Sequence, residues 1–125
     1  EAEWEYACRA GEDNAYCGGS DETQVAWYLL NSDGRSQPVG QLEPNRFGIH
    51  DMSGNAYEWV ADCWHGGYGE APSDGRAWVS GDCRRRVLRG GAWYYAPGYA
   101  VATYRNANTP QSRFIIYGFR LAHDD

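Results

Sequence analysis

The stretch Arg86-Val87-Leu88-Arg89-Gly90-Gly91-Ala92-Trp93 and the closing Gly118-Phe119-Arg120-Leu121-Ala122 frame a segment that constrains the chain more than any other. Both ends read as rigid framework, rich in glycine and arginine. Between them, residues 94–117 contain no Cys, Lys, Asp, Glu or His and a single Gln. Acid–base, nucleophilic and metal chemistry all lack their usual side chains there. Tyr and Phe offer large contact area at low rotamer cost, and Gly, Ala and Ser let the chain fit between them. The segment therefore reads as a contact surface, not a catalytic one.

At 125 residues the chain is long enough for one domain with a real core. Six Trp and ten Tyr load it with aromatics, and sixteen Gly with five Pro predict many turns. No window has the roughly 20 apolar residues of a membrane span. A net charge of −6 disfavours nucleic acid, whose backbone demands clustered positive charge. Arg84-Arg85-Arg86 is the local exception and reads as a solvated or carboxylate-paired loop. All eleven basic residues are Arg, which suits planar pairing and stacking on aromatic faces. The chain opens inside a helical pattern, so the reading leaves room for a removed leader or upstream domain.

None of the four cysteines forms a C-x-x-C pair, so zinc-site spacing is missing. A cluster of Cys63, His65 and Cys83 is a weak metal candidate. Two disulfides, Cys8–Cys17 and Cys63–Cys83, are the favoured alternative and fit an exported protein. Free buried thiols stay open as the other.

Glu1 to Ala10 reads as a helix, with Trp4, Ala7 and Cys8 on one face and Gly11 placed to stop it. Residues 11–24 read as a polar loop. Val25 to Leu30 is a short apolar run before the turn Asn31-Ser32-Asp33-Gly34. Tyr57 to Ala61 reads as a short aromatic strand or turn, and 64–82 as a long loop. Val87–Leu88 and Phe119–Ala122 read as strands.

Four segments together resemble the formylglycine-generating enzyme, or sulfatase-modifying factor, family. They are Glu1 to Ala7, Pro44-Asn45-Arg46-Phe47-Gly48-Ile49-His50-Asp51-Met52-Ser53-Gly54-Asn55-Ala56-Tyr57-Glu58-Trp59, Arg86 to Trp93, and Gly118 to Ala122. Their order and spacing extend over nearly the whole chain, without the family's N-terminal portion. The resemblance implies one α+β domain of variant C-type lectin fold, with a small twisted antiparallel sheet, two helices and long loops. It also implies where two copper-binding cysteines would lie. Tyr95 and Ala100 hold those positions, and neither supplies a thiolate. The expectation is therefore no copper and no enzyme. Iron chemistry of the related sulfoxide synthases is not expected either, since His50, His65 and His123 are scattered.

The chain further resembles the variable proteins of diversity-generating retroelements, which use this fold and rewrite a C-terminal segment at adenines. Varying both adenines of an AAC codon yields Tyr, Phe, Ile, Ala, Gly or Ser, but never Trp, Met, Gln, Glu or Lys. Within 92–122, the implied ligand-binding positions are Tyr94, Tyr95, Ala96, Gly98, Tyr99, Ala100 and Ala102, then Tyr104, Ala107, Ser112, Phe114, Ile115, Ile116 and Tyr117. Trp93, Arg105-Asn106, Thr109-Pro110, Arg113 and Gly118-Phe119-Arg120 read as fixed framework between them. The competing reading makes Phe114 to Tyr117 a buried strand. The implied partner is a macromolecular, protein ligand, and the implied location is the cell surface, the exterior or a phage particle.

One cofactor follows from the same resemblance. The family's second calcium site maps onto the side chains of Asp51 and Glu58 and the carbonyls of Gly54 and Ala56. Two carboxylates around a glycine turn suit calcium's preference for oxygen. The alternative pairs Glu58 with an arginine and uses Asp51 to close a turn.

Overall fold

The computed structural model describes residues 1–123. Helix α1 (Ala2–Arg9) buries Trp4 and Cys8 and half-buries Ala7, as the i, i+3, i+4 spacing requires. Ala10 adopts a left-handed conformation at φ 48° and ends it, with Gly11 following at φ 82°. The expected polar loop at 11–24 is interrupted at its end by a one-turn helix, α2 (Glu22–Val25). Asp21 caps it by accepting from the Thr23 N–H, a local device that hydrophobic periodicity cannot reveal.

The strands are β1 (Ala26–Trp27), β2 (Ser53–Gly54), β3 (Tyr57–Cys63), β4 (Arg86–Arg89), β5 (Arg105–Asn108) and β6 (Tyr117–Gly118). The pair β1–β2 is parallel, and the larger sheet runs β5-β4-β3-β6. In it β4 is antiparallel to both neighbours, while β6 runs parallel to β3. The sheet is thus mixed rather than wholly antiparallel. Gly54, at φ +76°, permits the β1–β2 contact, because a Cβ there would lie 2.2 Å from the Trp27 carbonyl oxygen.

The strand expected at Phe119–Ala122 does not form. Sheet pairing stops at Gly118, and Phe119 and Leu121 are 73% and 88% exposed. Arg120 explains the departure: its Nε donates to both Glu58 carboxylate oxygens at 2.8 Å, and its Nη2 donates to the His50 carbonyl at 3.1 Å. An ion pair, not a backbone ladder, directs the chain there.

Arginine also organises the core. Arg89 is fully buried, donating to Glu1, Glu5 and the Ala102 carbonyl, with its guanidinium 4.9 Å from the Trp4 ring centroid. The Trp4 indole N–H donates to Glu58 at 2.7 Å. Burial alone would raise the Glu5 pKa, but hydrogen bonds and charge from Arg89 and Arg9 outweigh it and lower the value. Such a cation is held in the interior only because its carboxylates accompany it. Both disulfides, Cys8–Cys17 and Cys63–Cys83, are formed, so no cysteine is free. This rules out the Cys63–His65–Cys83 metal cluster, since neither sulfur remains a thiolate.

Candidate ligand-binding face

The glycine pair after β4 builds the site. Gly91 sits at φ +74°, and a Cβ on it would lie 2.7 Å from the Tyr99 carbonyl oxygen and 2.9 Å from the Ala100 backbone. Its bare backbone therefore lets the 3₁₀ turn Pro97–Tyr99 fold back over the end of β4. The Trp93 N–H donates to the Asn55 carbonyl, and the Leu29 N–H to that of Tyr95, both at 3.0 Å. Ser53 Oγ donates to the Ala100 carbonyl at 2.8 Å. At the far end, the Tyr57 N–H donates to the Ile116 carbonyl at 2.8 Å and sets 114–117 beside β3.

These anchors assemble the aromatics into one strip. Trp93 meets Tyr94 at 5.5 Å between centroids, Tyr94 meets Tyr95 at 5.7 Å, Tyr95 meets Tyr99 at 5.3 Å, and Tyr99 meets Tyr104 at 5.0 Å. Tyr57 joins Tyr95 at 5.8 Å to Tyr117 at 6.3 Å, and Tyr117 continues to Phe114 at 5.2 Å. The contacts are tilted or edge-to-face, the arrangement that ring quadrupoles favour. Tyr94, Tyr99, Phe114 and Ile115 are exposed, and Tyr95, Tyr104, Ile116 and Tyr117 are half-buried. None of these eight is buried. The half-buried four pack on Tyr57, Leu88 and Ala92, so they are platform and surface at once.

The smaller positions divide. Ala96 and Gly98 are exposed, while Ala107 lies half-buried on β5. Ser112 is half-buried, its Oγ donating to the Asn108 side chain at 3.0 Å. Ala100 and Ala102 depart from expectation. Each is 2% exposed, Ala100 against Ala26 and Tyr28, and Ala102 in the cluster with Trp4 and Met52. They support the face from beneath and cannot touch a ligand as it stands. Phe114 to Tyr117 is not a buried strand either: only Tyr117 enters a ladder.

Two contributors lie outside the segment. Tyr57, from β3, is buried beneath the strip, with the Asn106 side chain beside its hydroxyl. Burial, then the nearby Tyr104, raise its pKa far above the ordinary tyrosine value. Leu29 and Leu30, 48% and 82% exposed, flank Tyr95 through the Leu29 hydrogen bond. Residue order marked Tyr57 and Leu29–Leu30 only as parts of apolar runs, because their adjacency to the segment across loops is tertiary.

Asp51, Ala56 and Glu58 line one cavity beside Arg120. Its donors are the oxygen ligands calcium takes. Glu58 already accepts from Trp4 and Arg120, and Asp51 accepts from the Gly40 N–H at 2.7 Å. Glu58 thus makes the arginine pairing of the alternative reading, and Gly54 does not line this cavity, while the oxygens of Asp51 and Glu58 are of the kind calcium takes.

All of residues 1–125 match the domain family described as the sulfatase-modifying factor enzyme 1-like domain. The chain belongs to this family. A formylglycine-generating enzyme of Thermomonospora curvata is 34% identical over 99% of the chain and 48% of its own length. Among solved structures, PvdO from Pseudomonas aeruginosa has a TM-score of 0.86 and 41% identity, covering 94% of this chain and 48% of that one. Treponema denticola variable protein 1 has a TM-score of 0.84 and 33% identity, covering 94% and 43%. The α+β C-type lectin-like fold is therefore borne out, as is the likeness to a variable protein. The chain spans less than half the length of each of these relatives. Among the described residues no helix is long and apolar enough to cross a membrane. The two disulfides fit an oxidising or extracellular environment.

Proposed function

We propose that this is a non-catalytic ligand-binding protein whose 92–122 segment is a surface diversified by a retroelement. One observation carries the reading: residues that adenine-directed mutagenesis can write form two uncharged aromatic runs, Tyr94 to Tyr104 and Phe114 to Tyr117, joined through the buried Tyr57 of the framework. Tyr94, Tyr99, Phe114 and Ile115 supply their exposed part. An apolar face of this kind is the usual mark of a partner-binding site, and the partner is a protein. The protein acts at the cell surface, in the exterior or on a phage particle, where disulfides persist. Absence of chemistry is supported by Tyr95 and Ala100 at the copper-ligand positions and by disulfide pairing of all four cysteines. Calcium belongs to the same reading as a structural cofactor, held by Asp51, Glu58 and the carbonyls of Gly54 and Ala56.

Sequencing the encoding locus tests the diversification. The expected finding is a near-copy of the 3′ end that differs only at adenines, beside a reverse transcriptase gene. A locus with neither overturns it and favours a non-catalytic accessory member of the family. Copper-dependent oxidation of a cysteine-containing peptide would instead restore the enzyme reading.

A further inference from the structure

Among the described residues, eight of the eleven arginines have a carboxylate within 4.0 Å, and the three that do not are Arg85, Arg86 and Arg113. The chain has 17 acidic residues, so the exception is a matter of placement and not of supply. Arg85 is occupied otherwise, its guanidinium 5.5 Å from the Trp64 ring centroid. The neighbouring Asp82 is taken by Arg84, whose Nε donates to both its oxygens at 2.8 and 3.0 Å. Arg86 gives one N–H to the Ala61 carbonyl and keeps donors to spare, since a guanidinium carries five. The Arg113 side chain is exposed and has no partner among the described residues. Arg86 lines an open groove with Trp59, Val60, Ala61, Val79 and Pro110, of which Val79 is 61% exposed. Pro110 lies in the turn 109–112, closed by the Ser112 N–H donating to the Thr109 carbonyl at 2.9 Å, and Arg113 follows directly. The groove continues into the aromatic strip: Trp59 lines it and also meets Tyr117 edge-to-face at 5.4 Å. Asn108, the β5 partner of Arg86, donates to the Tyr117 hydroxyl at 2.9 Å.

We infer that this groove extends the ligand face and docks an acidic segment of the protein partner. An apolar side chain of that segment rests on Trp59, Val60 and Val79, and its carboxylates pair with Arg86 and Arg113. The two cations prevail locally over the chain's net charge of −6, because salt screens carboxylates that lie beyond a Debye length of about 8 Å. A nucleic acid is the poorer occupant, since two free cations neutralise too few phosphates to hold a backbone against that net charge. Both arginines stand in the framework, so this complementarity is constant while the aromatic strip varies.

The inference rests on the ligand-surface reading and names the chemistry of its partner. Two capped peptides test it, Glu-Leu-Glu-Trp-Glu and its uncharged isostere Gln-Leu-Gln-Trp-Gln. Titrated at low salt into the isotope-labelled chain and followed by NMR, the acidic peptide should shift the Trp59 indole and Arg86 Nε–H signals saturably. It should bind about threefold to tenfold tighter than the isostere, the span of two exposed charge pairs, and the advantage should shrink as salt is added. Arg86→Gln and Arg113→Gln should each remove part of that advantage, and the double variant all of it. Arg113→Gln alters an exposed side chain and leaves folding intact, so it decides the matter even where Arg86→Gln lowers the melting temperature. Equal affinity of the two peptides, no saturable binding of the acidic one, or an advantage that survives the double variant overturns the inference. So does a single-stranded oligothymidylate that binds at the same residues more tightly than the acidic peptide. A failed contrast beside a diversified locus sinks the groove alone. A locus without a template sinks the diversification and leaves the contrast to decide the groove.

Discussion

Ile115→Ser and Tyr117→Ser are two residues apart, in a run that sequence alone treats as uniform, yet they should differ sharply in stability. Ile115 is 82% exposed, so truncation should stay within about 0.5 kcal/mol. Tyr117 is half-buried, meets Tyr57, Trp59 and Phe114 edge-to-face, and accepts from Asn108 Nδ2 through its hydroxyl at 2.9 Å. Half-burial of the ring is worth about 1 kcal/mol, each aromatic neighbour about 0.5–1.5 kcal/mol, and the hydrogen bond about 1 kcal/mol. These contributions overlap, so a loss of about 3 kcal/mol is expected, on the scale of truncating a core aromatic. For a domain of this size that lowers the melting temperature by roughly 10 °C. Tyr94→Ser should behave like Ile115→Ser, and Phe119→Ala, at a 73% exposed position, should also be mild. Thermal melts by circular dichroism measure all four. Equal losses at Ile115 and Tyr117 would refute the division of the strip into platform and exposed tips.

Other expectations follow from the same geometry. Gly91→Ala combines a left-handed φ with overpacking against the 99–100 backbone, and calorimetry should show a loss of about 2–5 kcal/mol. Glu5 has a folded pKa below its ordinary 4.5, so its contribution is complete above that value and drains as pH falls through the lowered one. Acid titration of the wild type and Glu5→Gln should therefore converge below pH 4.5, and parallel curves would sink the Arg89–Glu5 assignment. Calcium at 100 times its dissociation constant should stabilise the fold by about 2.7 kcal/mol, reversibly with chelator. Glu58→Gln should abolish that gain, and an unmoved wild-type melt would remove calcium from the proposal. Mild thiol reduction should open Cys63–Cys83 before Cys8–Cys17, because Cys83 is partly exposed while Cys8 and Cys17 are buried. Mass spectrometry of alkylated protein reads the order.

Features that are local or periodic were legible in residue order alone. Trp4 and Cys8 on one helical face, the stop at Ala10–Gly11 and the strand at Val87–Leu88 all follow from residue spacing and backbone preference. The inventory of 94–117 set the expectation of contact rather than chemistry, because catalytic groups must be present in composition before they can be placed. Tertiary structure decided which members of that segment face outward. Ala100 and Ala102 look like their exposed neighbour Ala96 in sequence, but the Gly91 approach turns them into the core. It also ended the ladder at Gly118, where Arg120 finds Glu58, a partner 62 positions away. And it placed Tyr57, from another strand, beneath the strip. Each outcome depends on which distant groups meet after the chain closes, and a short window of sequence carries no record of that meeting.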